Sequence, residues 1–199
     1  MQHTPPRARQ GGRPGCSTLV IIVLVLITII MLALLLHPTL ERLWMEHRFP
    51  LMYEDLILYY SAVHELDPFW VMGLIRAESS FRSHVTSPVG ASGLMQIMPS
   101  TGEWLAERMG LPFDEASLFE PAYNIRMGTY YLRLLLGMFD TPNTVLAAYN
   151  AGMGNVQTWL EDSRYSADGF TLHTIPFPET REYVERVNRY TEIYRELYA

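Results

Sequence analysis

Residues 70–81 read WVMGLIRAESSF and place an ionisable group where a leucine would fit. Val71, Leu74 and Ile75 share one face at helical spacing, and Glu78 falls on the same stripe. Taking a carboxyl out of water disfavours its charged form and raises its pKa. A carboxyl kept partly protonated near neutrality is what a general acid requires. On pattern alone a buried ion pair explains Glu78 equally well; Arg82, one turn further on, would serve as the partner if the helix continued, but SSFRSHVTSP points to its ending.

Two more stretches could carry chemistry. Residues 87–99, SPVGASGLMQIMP, bring backbone close to something through small residues, then set polar Gln96 among Leu94, Met95, Ile97 and Met98. A turn followed by a methionine cluster facing the core reads the same way. Residues 147–156, AAYNAGMGNV, set Tyr149 and Asn150 side by side against glycines. Aromatic rings pack on sugar faces and amides bond hydroxyls, so the pair suits a polyhydroxylated ligand; a buried tyrosine beside an ordinary helix cap is the alternative.

The elements that must hold these groups are helical throughout. Helices are expected over 54–66 and 68–79, the second opened by Asp67 as cap and Pro68 in the first turn. Pro88, Gly90 and Gly93 mark a loop, and a helix over 101–109 stops at Gly110. Pro121 opens a helix with the stripe Ile125, Gly128, Leu132, Leu135 and Phe139. Pro142 opens another, terminated by Gly152 and Gly154. A loop containing Asp168-Gly169 precedes the last helix, from Pro178, with the stripe Tyr183, Val187, Tyr190, Tyr194 and Leu197. No alternating strand pattern of useful length and no internal repeat occurs, so the expected class is all-α.

Ahead of this domain, residues 18–36 are 19 residues without a charge, enough to cross a hydrocarbon core of about 30 Å. Arg7, Arg9 and Arg13 precede them without any acidic residue, which predicts a cytoplasmic flank and places the rest of the chain on the other side. The apolar run exceeds a signal-peptide core, and no small-x-small cleavage pattern follows it. The expected organisation is a basic cytoplasmic segment 1–17, a transmembrane signal anchor 18–36, a connector 37–52 and a catalytic domain 53–199.

All 15 basic residues are arginine; three precede the apolar run, leaving 12 against 21 acidic residues. That balance and the lack of a basic patch exclude nucleic acid as a partner. Cys16 is the single cysteine, so no intramolecular disulfide forms. There is no HExxH, no Cys/His cluster, no phosphate-binding glycine loop and no calcium-loop spacing, so neither metal nor cofactor is expected. His37, His47, His64, His84 and His173 are scattered and receive no role.

Taken in order, RAESSF, SPVGASGLMQIMP, NIRMGTYYLRLLL, AAYNAGMGNV and IPFPETREYV resemble the soluble-type lytic transglycosylase family over residues 53–198. The resemblance implies a lysozyme-like fold and cleavage of the β-1,4 bond between N-acetylmuramic acid and N-acetylglucosamine in peptidoglycan, without water. It makes Glu78, in the family's Glu-Ser motif with Ser79, the single acid and then base. Most glycosidases use two carboxylates, and substrate-assisted ones are exceptions; Glu103 and Asp114, the acids nearest in sequence, sit in ordinary helix and loop contexts. The resemblance also makes Ser79, Ser87, Gln96, Met98, Tyr149, Asn150 and Glu179 substrate-side positions. Glu179 reads equally well as an acid favoured at a helix N-terminus. Met153 departs from the family's frequent proline in NAGPG. The implied location is the bacterial inner membrane, single-pass, with the catalytic domain on the periplasmic side and peptidoglycan strands as partner. A hydrolytic muramidase of the goose-lysozyme type and a wall-opening or scaffolding partner of an envelope-spanning machine are the rival readings.

Overall fold

The computed structural model describes residues 16–199; the arginine-bearing flank expected on the cytoplasmic side lies outside the described residues. The chain divides into two compact units, one ending at Arg48 and one spanning Phe49–Ala199.

The first unit is a single helix, α1 (Cys16–Arg48). Its stretch Thr18–Arg48 is long and apolar enough to cross a membrane, and none of its most apolar window is buried. At about 1.5 Å per residue, α1 is far longer than a hydrocarbon core of about 30 Å needs. Pro38 sits inside the helix without ending it, so residues 37–48, expected as connector, are helical.

The second unit contains α2 (Glu54–Val63), α3 (Pro68–Glu78), α4 (Pro99–Met109), a 3-10 turn (Glu115–Phe119), α5 (Pro121–Leu136), α6 (Pro142–Ala151), α7 (Met153–Leu160) and α8 (Pro178–Tyr198). There is no strand among the described residues; isolated bridges join Ser92 to Thr86 and to Ile97 in the loop before α4. Proline opens α3, α4, α5, α6 and α8, where its missing N–H removes no helical bond. Asp67 accepts from the Phe69 amide at 2.9 Å, and Thr141 accepts from the Thr144 amide at 3.2 Å.

Three boundaries differ from expectation. α2 ends at Val63 because the Leu66 amide turns back to the Ser61 carbonyl. α4 starts at Pro99, two residues ahead of the expected 101. The helix of Tyr149 stops at Gly152 (φ 90), but Gly154 lies inside α7, a short helix the sequence pattern did not announce. The 3-10 turn was also unannounced, being too short to show a period.

α3 lies at the centre. Val71, Leu74 and Ile75 are fully buried, and α3 packs along α8 and against α2. Gly73 permits the close approach to α8: a Cβ there would stand 2.8 Å from the Thr191 amide nitrogen and 3.0 Å from the Val187 carbonyl. Val187 and Tyr194 face this seam from α8. The seam sets where the end of α3, and so Glu78, stands.

Candidate active site

Glu78 is the last residue of α3 and is partly buried. Burial pushes its carboxyl up to about 7, opposed by the Tyr183 hydroxyl and the Arg186 guanidinium, both from α8. The Tyr183 hydroxyl is buried, makes no hydrogen bond of normal geometry, and stands near enough to Glu78 to favour its charged form. Arg82 is not the partner that spacing allowed. Its Nε donates to the Ser79 carbonyl at 3.0 Å, because the chain leaves the helix after Glu78 through two left-handed residues, Ser80 (φ 52) and Phe81 (φ 62). Phe81 is buried, with Tyr194 5.9 Å away, and this packing holds the unfavourable turn. On the other side stands Tyr149, whose hydroxyl donates to the Met95 carbonyl at 2.8 Å. Burial first, then the Glu78 charge, raises the Tyr149 pKa well above its ordinary value, so the phenol stays a donor.

The loop before α4 buries Leu94, Met95 and Ile97, and a polar network fixes its turns. Asn124, fully buried in the first turn of α5, accepts from the Met95 amide at 2.7 Å and donates to the Leu118 and Ser92 carbonyls at 2.8 and 3.0 Å. Gly93 (φ 81) passes so close that a Cβ would collide with the Leu118 carbonyl and Asn124. Gln96, itself left-handed (φ 50), donates from Nε2 to the Gly93 carbonyl at 2.8 Å and to the Val85 carbonyl at 3.3 Å. Ser87 closes the neighbouring turn, its hydroxyl accepting from the Ala91 amide at 3.0 Å.

Gln96, Met98, Tyr149 and Asn150, from two stretches 54 residues apart at Met95 and Tyr149, come together around a cavity of about 260 Å³. Thr101, Tyr131, Ile97, Ala151 and Gly152 complete its wall. Glu78 is not among the lining residues; its link to the cavity is Tyr149, which lines it and whose hydroxyl feels the carboxylate. No Asp or Glu lines it. The residues of the transglycosylase SLT domain model correspond to 55–169 of this chain, more than half of it. The chain belongs to the SLT transglycosylase family.

A soluble lytic murein transglycosylase from Escherichia coli is 42% identical over 161 residues, covering 77% of this chain and 25% of its own length. The structure of the 70 kDa soluble lytic transglycosylase from Escherichia coli matches with a TM-score of 0.68 at 39% identity, over 77% of this chain and 26% of that one. The fold is therefore lysozyme-like as well as all-α. A membrane-bound lytic murein transglycosylase C from Klebsiella pneumoniae is 29% identical over 72% of this chain and 46% of its own length. The chain spans about a quarter of the length of the Escherichia coli relative, so the likeness concerns the SLT domain and not the whole of that protein.

The remaining expected positions separate. Ser79 is buried and its hydroxyl turns back to the Ile75 carbonyl at 3.3 Å, at the end of α3. Glu179 is exposed in the first turn of α8 and does not line the cavity. Its neighbour Thr180 is the residue engaged there, donating to the Asn150 amide oxygen at 2.8 Å and so tying α6 to α8. Sequence reasoning missed Asn124, Tyr131, Tyr183 and Arg186. Asn124 carried a signal: a polar residue one turn before Gly128 on the apolar face of α5. Tyr183 looked like ordinary core, and Arg186 like a solvated surface charge. Among the described residues no group of three or more His, Cys, Asp or Glu is placed to hold a metal.

Proposed function

We propose that this chain is a membrane-anchored peptidoglycan lytic transglycosylase, with Glu78 as its single acid and base. The observation that carries the reading is a partly buried carboxyl held near 7 whose charge acts on Tyr149, while no carboxylate lines the cavity that Tyr149 helps to form. A hydrolase of the usual two-carboxylate kind needs a second acid to activate water or attack the sugar. One carboxyl that is half protonated at neutral pH can do both proton transfers in turn.

In the proposed reaction, protonated Glu78 gives its proton to the oxygen bridging N-acetylmuramic acid and N-acetylglucosamine. The bond from C1 of the muramoyl ring to that oxygen breaks, and the substrate's own N-acetyl group supports the positive centre. Glu78, now ionised, takes the proton of the muramoyl C6 hydroxyl as that oxygen bonds to C1, closing a 1,6-anhydro ring and restoring the acid. Tyr149 steadies the site, being held by the Met95 carbonyl; Gln96 can offer its amide oxygen and Asn150 its amide NH2 to sugar hydroxyls, since the Gln96 nitrogen and the Asn150 oxygen serve Gly93, Val85 and Thr180. The apolar α1 anchors the chain in the inner membrane, with the SLT domain on the periplasmic side where peptidoglycan lies.

The test is digestion of purified peptidoglycan by the full chain in detergent, with mass spectrometry of the products. Muropeptides lighter by one water than muramidase products are expected, and none from Glu78→Gln. Products with reducing ends would replace this reading with a hydrolytic muramidase. Activity persisting in Glu78→Gln would remove Glu78 from the role.

A further inference from the structure

The start of α3, the start of α6 and the second half of α8 enclose another cavity, of about 360 Å³. Asp67, the cap of α3, stands on its wall, while Glu78 is the last residue of the same helix. The 11 residues of α3 put about 16 Å between its two ends. The buried part of the lining is apolar. Leu66 and Trp70 are 8% and 9% exposed, joined by Leu136 from the end of α5 and Pro142 from the start of α6. The exposed part is acidic: Glu65, Asp67 and Glu192 stand there against one guanidinium, Arg195. That guanidinium is already engaged, pairing with Asp67 across the helices and with Glu192 on its own. Glu65 takes Arg133 of α5 at 2.9 Å. Glu65 and Glu192 each use one carboxylate oxygen in these pairs and keep the other. The wall also holds an unpaired donor. The indole N–H of Trp70 is buried and has no acceptor, which is costly for a polar group out of water.

We propose that this cavity is a docking site for a basic residue of a partner polypeptide, occupied while the cavity beside Tyr149 stays open. Charge selects the occupant: three carboxylates against one engaged guanidinium attract a cation and repel an anionic lipid headgroup or a phosphate. A neutral sugar would leave the free carboxylate oxygens without a counter-charge. The alkyl stem of an arginine or lysine suits the apolar lining of Leu66, Leu136 and Pro142, with its charged head at Glu65 and Glu192. A free amine would meet the same carboxylates but bring no acceptor for Trp70. A polypeptide brings one in its backbone carbonyl. The stem peptides of peptidoglycan have carbonyls too, but their own carboxylates would meet the acidic lining with like charge. Since the cavity lies at the end of α3 away from Glu78, a partner held there positions the domain without covering the groups that face the glycan.

The test follows the four tryptophan indole N–H signals of the isotope-labelled full chain in detergent by NMR, with Trp70→Phe assigning that of Trp70. The probes are the acetylated and amidated tripeptides Leu-Arg-Leu, Leu-Gln-Leu and Leu-Glu-Leu, and a peptidoglycan stem tetrapeptide. Leu-Arg-Leu should move the Trp70 signal saturably to lower field, as an N–H does on gaining an acceptor. Leu-Gln-Leu should bind about tenfold more weakly, and Leu-Glu-Leu should leave the signal in place. Substituting Glu65→Gln and Glu192→Gln together should weaken Leu-Arg-Leu about three- to tenfold. Both side chains are exposed, so the other indole signals and the digestion of peptidoglycan should not change. A Trp70 signal that Leu-Arg-Leu leaves in place, or that Leu-Gln-Leu moves equally, would overturn the proposal. Tighter binding of the stem tetrapeptide than of Leu-Arg-Leu would overturn the partner and put the wall's own peptide in its place. The digestion test reads the cavity at the other end of α3, so failure of either test leaves the other result standing.

Discussion

The two walls beside the site share buried apolar side chains but differ in what fixes their backbones. The α3/α8 seam is apolar and places a carboxyl at its edge, where Val71, Leu74 and Ile75 exclude water and the Tyr183 and Arg186 side chains only partly offset the cost. The loop before α4 also buries Leu94, Met95 and Ile97, but its backbone turns are fixed by polar groups: Asn124 and Gln96 satisfy its carbonyls and amides one by one. The first wall tunes a proton, because low polarity moves a pKa. The second fixes a shape, because a buried polar network is satisfied in one geometry and costly in any other.

Changes to the two walls should therefore fail in different ways. The largest effect is expected from Glu78→Gln, which should lower turnover about a thousandfold or more while making the protein more stable. The sign follows from the raised pKa: folding favours protonated Glu78, so the carboxyl costs nothing below its ordinary 4.5 and an increasing amount as pH climbs to about 7. At neutral pH the neutral amide should recover about 2–3 kcal/mol, a rise in melting temperature of about 5 °C or more by calorimetry, absent at pH 4. A lower melting temperature at pH 7 would show that this wall is not strained by its acid.

Asn124→Ala on the other wall should do the reverse. It leaves the Met95 amide and the Ser92 and Leu118 carbonyls without their partner and should cost about 3 kcal/mol or more in denaturant unfolding. Turnover per folded molecule should fall about tenfold with no change in the shape of its pH profile. Tyr149→Phe bridges the two walls by breaking the bond to Met95, and should cost about 1 kcal/mol of stability with a moderate loss of turnover.

Arg186→Met should have a smaller effect, visible mainly in pH dependence. Activity requires protonated Glu78 and should fall as pH rises past about 7; Arg186 lowers that pKa, so its loss should move the falling limb to higher pH. A limb that stays in place would remove Arg186 from the electrostatics of the site. Glu179→Gln should matter least, less than about threefold in turnover, since its exposed place in the first turn of α8 contributes only a helix-end interaction. A large loss would bring Glu179 back to the substrate side where the family resemblance put it.

Much of this was legible in the chain. Helical spacing placed Glu78 on the stripe of Val71, Leu74 and Ile75, and prolines marked the starts of α3, α5, α6 and α8, because these are local effects of backbone geometry and periodicity. The apolar run inside α1 was equally plain. What spacing could not decide was Glu78's neighbours. Arg82 was the cation within reach along the helix, but two left-handed residues turned it to the Ser79 carbonyl, and the cation that acts on Glu78 is Arg186, more than a hundred residues on. Nor could it show that Ser79 faces inward, that Asn124 anchors a distant loop, or that Gly154 continues a helix, since each depends on what packs against it. The sequence alone determined that a carboxyl sits on a buried helical face; the tertiary structure decided its proton affinity, because that energy is set by groups brought close only when α3, α6 and α8 pack together.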